Sequence, residues 1–208
     1  MESLKSILSA QANQKIEFSS KMDDLSELAK TMVGFANSGG GRILLGVKSN
    51  GKIKGINPEE AKECIEEVNE RYCKPSIKYG AHVHQEGMRL VYEVLIKADP
   101  EHRSKALDQS GEWKAYIRNG IYTVEANKII LKCWNFERKE LPILSEYSTD
   151  ELQVIRLAKG VNGITLSQLY KQLEIPPKRI DYIVSMILYS GVIEMEVTPD
   201  QTIYKTLQ

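Results

Sequence analysis

Lys48, Lys52 and Lys54 flank Asn50-Gly51, a pair of residues suited to a type I′ hairpin turn. With a two-residue strand period the three ammonium groups fall on one face. There they can neutralise phosphates, the main source of nucleic-acid affinity. Lysines on an exposed hairpin also block edge-to-edge aggregation, which is the competing explanation. Just upstream, Gly39-Gly40-Gly41 precedes Arg42. Consecutive glycines can turn backbone N–H groups toward a phosphate, or they can simply end a helix and let a strand start beside it. Gly41 and Gly46 have the spacing of a Walker A motif, but Val47 stands where its lysine belongs. A phosphate loop also runs from strand to helix, whereas here the helix precedes the glycines. His82 and His84 lie two apart on one strand face, a spacing that can hold zinc. No third ligand stands in register, so the pair reads as exposed strand positions and no metal site is expected.

These residues need elements to position them. Leu25, Leu28, Ala29, Met32, Val33 and Ala36 recur as one helix face, with Ser20 or Asp23 as its cap. Arg42 to Val47 is a short apolar run, read as a strand, and Ile16-Glu17-Phe18 another. A short amphipathic helix is expected over 1–12. Asn57-Pro58 starts a helix that runs to Tyr72. Its acidic outer face reads as solvated. Ile77 to Val83 and Leu90 to Ile96 alternate about Gln85-Glu86-Gly87 as a hairpin. Residues 99–111 read as a surface loop, Trp113 to Arg118 as a strand, and Thr123 as the cap of a helix ending near Arg138.

The segment Glu137 to Thr149 mixes charges, a proline and small polar residues, so the domain boundary is placed there, giving domains 1–140 and 141–208. Helices over 149–159, 165–173 and 176–190 precede a hairpin over 191–207 with its tip at 198–201. Three helices and a hairpin are the layout of a winged helix, whose third helix usually enters the major groove. Lys178 and Arg179 stand at the start of that helix. On its core face are Ile180, Ile183, Val184, Ile187 and Leu188, with Ser185 and Met186 elsewhere. Residues 141–208 carry six basic and eight acidic side chains, a poor balance for a lone DNA binder. A protein-interaction or dimerisation module is the alternative for this domain.

Lysine plus arginine equals aspartate plus glutamate, at 28 each, so no global polybasic signal marks a membrane or nucleic-acid partner. No apolar run is long enough to span a bilayer. The three cysteines, Cys64, Cys73 and Cys133, are odd in number and widely spaced, against a disulfide framework. A cytoplasmic setting is expected.

An ordered set of short motifs carries a resemblance. Ile16-Glu17-Phe18, Phe35-Ala36-Asn37-Ser38-x-Gly40-Gly41, Leu45-Gly46-Val47, Asn50-Gly51-x-Ile53-x-Gly55 and Ala115-Tyr116-Ile117-Arg118-x-Gly120 together resemble the Schlafen-AlbA domain, also described as divergent AAA-like. The resemblance covers roughly residues 5 to 138. It implies an α+β fold, a mixed and mostly antiparallel sheet with flanking helices, here followed by the small winged-helix domain. Proteins of this layout are usually labelled transcriptional regulators or ATP-binding proteins, which makes ATP the one cofactor the resemblance offers. Some Schlafen members cut RNA with a metal held by three carboxylates, two of them in an ExxxxEF pattern. Glu17 matches the second acid, the first falls on Ala12, and the third on Lys48 or Ser49. One carboxylate cannot assemble a site for a divalent ion, so Glu17 is expected to pair with a base such as Arg42 or Lys48.

The sequence therefore reads as a dimeric DNA-binding transcriptional regulator, with RNA as the other nucleic-acid partner and no membrane partner. Arg42, Lys48, Lys52, Lys54, Arg118, Lys178 and Arg179 are the candidate nucleic-acid contacts. Gly39, Gly40 and Gly41 are the candidate phosphate cradle. No catalytic set is recognisable. A nucleotide-binding or degenerate nuclease-like enzyme and a protein-interaction adaptor are the alternatives.

Overall fold

The computed structural model describes residues 3–197 and 201–207. They form two compact units, Met1–Glu125 and Ala126–Gln208. The parting falls before the breaker-rich segment at 137–149, because the helix preceding that segment packs within the second unit.

The first unit opens with α1 (Leu4–Ser9), capped by the Ser3 side chain. It is shorter than the expected helix over 1–12, of which residues 1 and 2 lie outside the described range. Then come β1 (Ile16–Ser19), α2 (Leu25–Asn37) and β2 (Gly41–Leu45). Asp24, one residue past the expected cap, accepts the Glu27 N–H at 2.9 Å and starts α2. Asn57 caps α3 (Pro58–Arg71), with proline in its first turn. After β3 (Cys73–Lys74), β4 (Tyr79–Glu86) and β5 (Arg89–Ile96) form the expected hairpin. Its loop residues are Gly87 and Met88, and only Gly87 has positive φ, the type II′ arrangement.

Segment 99–111 is not wholly loop, since β6 (Lys105–Leu107) pairs with β3 and with β7 (Trp113–Lys114). The expected strand over 113–118 divides, and its second half is β8 (Tyr116–Asn119), paired with β9 (Tyr122–Glu125). Thr123 therefore lies in a strand and not at a helix cap.

The main sheet has the order β1-β2-β5-β4. β1 runs parallel to β2, and the other pairings are antiparallel. The sheet is mixed and mostly antiparallel because the β1–α2–β2 passage is a crossover, whereas a two-residue turn closes β4 and β5. Ile43, Leu45, Tyr92, Val94 and Ile96 share a core with Leu28, Met32, Phe35, Ile65 and Val68 of α2 and α3. Phe18, Leu44 and Val91 point to the other face, where Leu4 and Ile7 cover them.

The second unit contains α4 (Lys128–Arg138), α5 (Thr149–Ala158), α6 (Leu166–Gln172), α7 (Pro177–Tyr189) and the hairpin β10 (Ile193–Val197) and β11 (Thr202–Thr206). Residues 198–200 of the expected tip lie outside the described range. Asn127 caps α4 through the N–H groups of Ile129 and Ile130. Ser148 and Thr165 each form a capping box. Ile129, Cys133, Val154, Leu169, Ile180, Ile183, Ile187 and Tyr204 make one core. Contrary to the sequence reading, Ser185 and Met186 of α7 are buried. α4 lies along the helix face that holds them, and the Cys133 thiol reaches the Ser185 carbonyl at 3.3 Å.

Candidate nucleic-acid interface

The lysine hairpin is held from below. Val47 and Ile53 bridge each other and pack with Leu4, Ile7 and Phe18. Lys48 N–H donates to the Lys52 carbonyl at 3.0 Å, which sets the two residues opposite each other. Lys54 follows Lys52 by two, so all three lysines share the face away from Val47 and Ile53. All are exposed. Among the described residues no carboxylate pairs with any of them. The Lys54 ammonium donates to the Ser20 carbonyl at 3.2 Å, beside the exposed Lys21.

The turn itself differs from the type I′ expectation. Ser49, Asn50 and Gly51 form a three-residue loop in which Gly51 alone has positive φ (78°). The Asn50 side chain accepts the Lys52 N–H at 3.1 Å, which holds Asn50 outside the left-handed region and leaves Gly51 as the bulge residue.

Gly39, Gly40 and Gly41 are a joint. Gly40 N–H donates to the Phe35 carbonyl at 2.8 Å, and the Lys15 ammonium takes the Gly39 and Gly40 carbonyls. A Cβ on Gly41 would stand 2.3 Å from the Phe35 ring, and one on Gly40 would stand 2.7 Å from the Ile96 carbonyl. The close passage of Phe35 and of the end of β5 therefore accounts for Gly41 and Gly40, Gly39 takes a positive φ of 91°, and the Gly40 N–H is spent inside the chain rather than offered to a phosphate.

Arg118 is in the interior, with a side chain 2% exposed, so it is not a surface contact for nucleic acid. One of its terminal nitrogens lies 2.7 Å from Glu17 and donates to the Asn13 carbonyl, and the other donates to Thr123 Oγ1 at 3.1 Å. Its guanidinium stacks 5.0 Å over the Phe35 ring. Glu17 thus pairs with Arg118, and not with Arg42 or Lys48. Asn37 and Ser38 complete this clamp. The Asn37 amide donates to the Ser104 and Tyr116 carbonyls, and Ser38 Oγ accepts the Arg118 N–H. Glu17, 28% exposed, borders a cleft of about 180 Å³ that is also lined by Lys21, Asp23, Asp24, Glu27 and Thr31. From the sequence Asp23 reads only as a possible helix cap, and nothing there marks Asp24 or Glu27 as lining a cleft.

Arg42 lies 3.1 Å from Glu93, a buried carboxylate that the sequence reading missed. Glu93 also meets His84 Nε2 at 2.7 Å, and the His82 and His84 rings touch edge to face. The histidines are half-buried and not exposed, as read from sequence. The hairpin register alone places Glu93 opposite His82, and that was the available signal. Among the described residues no group of three or more histidines, cysteines and carboxylates is arranged to hold a metal.

In the second unit Lys178 and Arg179 are exposed in the first turn of α7, which has no side-chain cap. Arg179 lies 3.5 Å from Asp150 of α5 and over the Tyr182 ring. The Lys128 ammonium is raised above its ordinary pKa by Asp181 and Tyr170, which it meets at 2.8 Å each. The Tyr170 hydroxyl also donates to Asp181. Burial pushes the thiols of Cys73 and Cys133 up to about 12.

The model of the Schlafen, AlbA_2 family matches residues 12–127, more than half of the chain. Curated proteins give no match. Among solved structures, the N-terminal domain of a RecG-related protein from Nitrosomonas europaea is 19% identical, with a TM-score of 0.40, over 55% of this chain and 82% of that one. The DIP2311 protein from Corynebacterium diphtheriae is 14% identical, with a TM-score of 0.45. That match spans 96% of this chain and 37% of the Corynebacterium chain. No helix among the described residues is long and apolar enough to cross a membrane.

Proposed function

We propose that the chain, which belongs to the Schlafen, AlbA_2 family, binds nucleic acid through the Lys48-Lys52-Lys54 hairpin and acts as a transcriptional regulator on DNA. The observation that carries this reading is the hairpin: three exposed lysines on one face, without a carboxylate partner among the described residues, on a turn anchored by Val47 and Ile53. Like charges set opposite each other repel, so an arrangement of this kind is favoured by an anionic partner. Arg42 and Glu17, by contrast, are committed to Glu93 and Arg118. A carboxylate engaged by a guanidinium is a weakened ligand for a divalent ion, which favours binding over cleavage.

The second unit supports a winged-helix reading. Its order is α5, α6, α7 and the β10–β11 hairpin, and Ile164 forms a single antiparallel bridge to Tyr204. Lys178, exposed in the first turn of α7, is the contact we assign to the groove. With α4 included the unit is charge-balanced rather than acidic. A regulator of this kind reads paired half-sites as a two-fold dimer.

The test is fluorescence anisotropy on mixed-sequence duplex DNA over a range of salt. Wild type is expected to bind with a steep salt dependence. Reversing Lys48, Lys52 and Lys54 to glutamate lowers affinity and reduces the slope of log K against log salt by about 2 to 3. Binding that is insensitive to salt, or an unchanged slope in a folded triple variant, rejects the hairpin as the contact.

A further inference from the structure

β4 is an edge strand of the main sheet. All eight of its residues pair with β5 without a bulge, and among the described residues no strand covers its outer side. The two-residue loop at Gly87-Met88 makes Glu86 and Arg89 a hydrogen-bonded pair, so by alternation His84, His82 and Gly80 bond inward to β5. The N–H and C=O groups of Tyr79, Ala81, Val83 and Gln85 then point outward. Proteins usually blunt such an edge with lysine, proline or a bulge. β4, Tyr-Gly-Ala-His-Val-His-Gln-Glu, contains none of these.

We propose that this edge is an interface between two copies of the chain, paired antiparallel about a two-fold axis at His82. The register is fixed by charge. Centring on His82 sets Ala81 opposite Val83 of the second copy, Tyr79 opposite Gln85, and Gly80 opposite His84. It also sets Lys78 opposite Glu86, twice by symmetry. Lys78 and Glu86 are the charged residues bounding the edge, one at each end, and only this register pairs them. Lys78 extends the ladder, since its carbonyl accepts the Lys97 N–H. Among the described residues of the single chain Glu86 has only a loose exposed contact with Lys5, at 3.6 Å.

Gly80 is an independent sign. Its φ is not positive, and a Cβ built on it would meet nothing within 4 Å. Nothing inside the chain requires glycine there, and glycine inside a strand weakens it. Such a glycine marks the close approach of another group. The proposed pairing supplies one, the His84 ring of the second copy. Val83, 41% exposed, becomes covered by Ala81 of the second copy. The four-stranded sheets of the two copies then merge into one continuous sheet.

This interface goes beyond the nucleic-acid reading, and its test uses no nucleic acid. Sedimentation equilibrium of the full chain is expected to show a reversible dimer of the 23.6 kDa protomer, with a dissociation constant of about 10 µM. Lys78→Glu and Glu86→Lys each weaken the dimer by about tenfold, because two attractive pairs become repulsive. The Lys78→Glu/Glu86→Lys double variant restores it to within about threefold of wild type. Val83→Lys, at a position already exposed, abolishes it while circular dichroism stays native. A wild-type monomer at about 200 µM, or a dimer that survives Val83→Lys, overturns the interface. A double variant as weak as the singles overturns the register.

Discussion

Arg118 shows what a single residue can conceal. In sequence it is one more base beside a family motif. In the fold it is a buried cation bonded to Glu17, Thr123 and the Asn13 carbonyl, stacked on Phe35. Removing one partner of a buried pair strands the other's charge, at a cost of about 3 to 5 kcal/mol. Arg118→Ala is therefore expected to lose about 3 kcal/mol in urea unfolding, the lower end because Glu17 is partly solvated. At a temperature where it remains folded, it keeps wild-type nucleic-acid affinity. A surface contact would give the reverse, lost affinity with intact stability. The lysines of the hairpin were legible because a two-residue period and a turn signal place them without reference to the rest of the chain. The burial of Arg118 and Glu93 and the partner of Glu17 were not, because the burial and pairing of a charge depend on groups brought in from distant strands.

At the scale of elements, helices and the main sheet could be read from apolar periodicity, and turn chemistry was harder. Asn50-Gly51 favours one turn by composition, yet the Asn50 side chain bonds forward to Lys52 and selects another. Short strands such as β3 and β6 have too few residues to show a period, so 99–111 read as loop. The turn leaving β6 has a pH dependence with a definite sign. The Asp108 carboxylate accepts the Ser110 and Glu112 N–H groups and meets Lys114 at 2.9 Å. Lys114 first, then Ser110 and Glu112, hold this carboxyl well below the usual carboxylate range. A group depressed in the folded state stabilises above its unfolded pKa of about 3.9 and loses that contribution as pH falls through the folded value. Asp108→Asn is thus expected to lower the melting temperature at pH 7 and to flatten its fall below about pH 4. Parallel melting curves for variant and wild type that decline equally into acid would contradict this.

At the scale of the whole molecule, α4 decides where the first unit ends. Its amphipathic pattern, with Ile130, Cys133 and Trp134, reads from sequence as the end of the first domain, because the proline and small polar residues after it resemble a linker. Composition marks where a chain can bend, but a domain ends where contacts stop crossing. Ile129, Cys133 and Phe136 are buried. Ile129 and Cys133 belong to the core formed with α5, α6, α7 and Tyr204, and the Phe136 ring lies edge to face with Tyr182 and Tyr189 of α7. That packing also explains why Ser185 and Met186 are buried where an isolated three-helix reading leaves them outside. Two fragments separate the alternatives. The fragment 126–208 keeps the whole core and is expected to unfold in one cooperative urea transition. The fragment 141–208 loses α4 and exposes the flank of α7. Deleting side chains equivalent to Ile129 and Phe136 costs about 5 kcal/mol or more, comparable to the entire stability of a small domain. It is expected to show no cooperative transition at 25 °C, and its α7 amides should exchange with solvent at least a hundredfold faster, about 3 kcal/mol of lost protection. Equal stability in the two fragments would return α4 to the first unit and the boundary to the 137–149 segment.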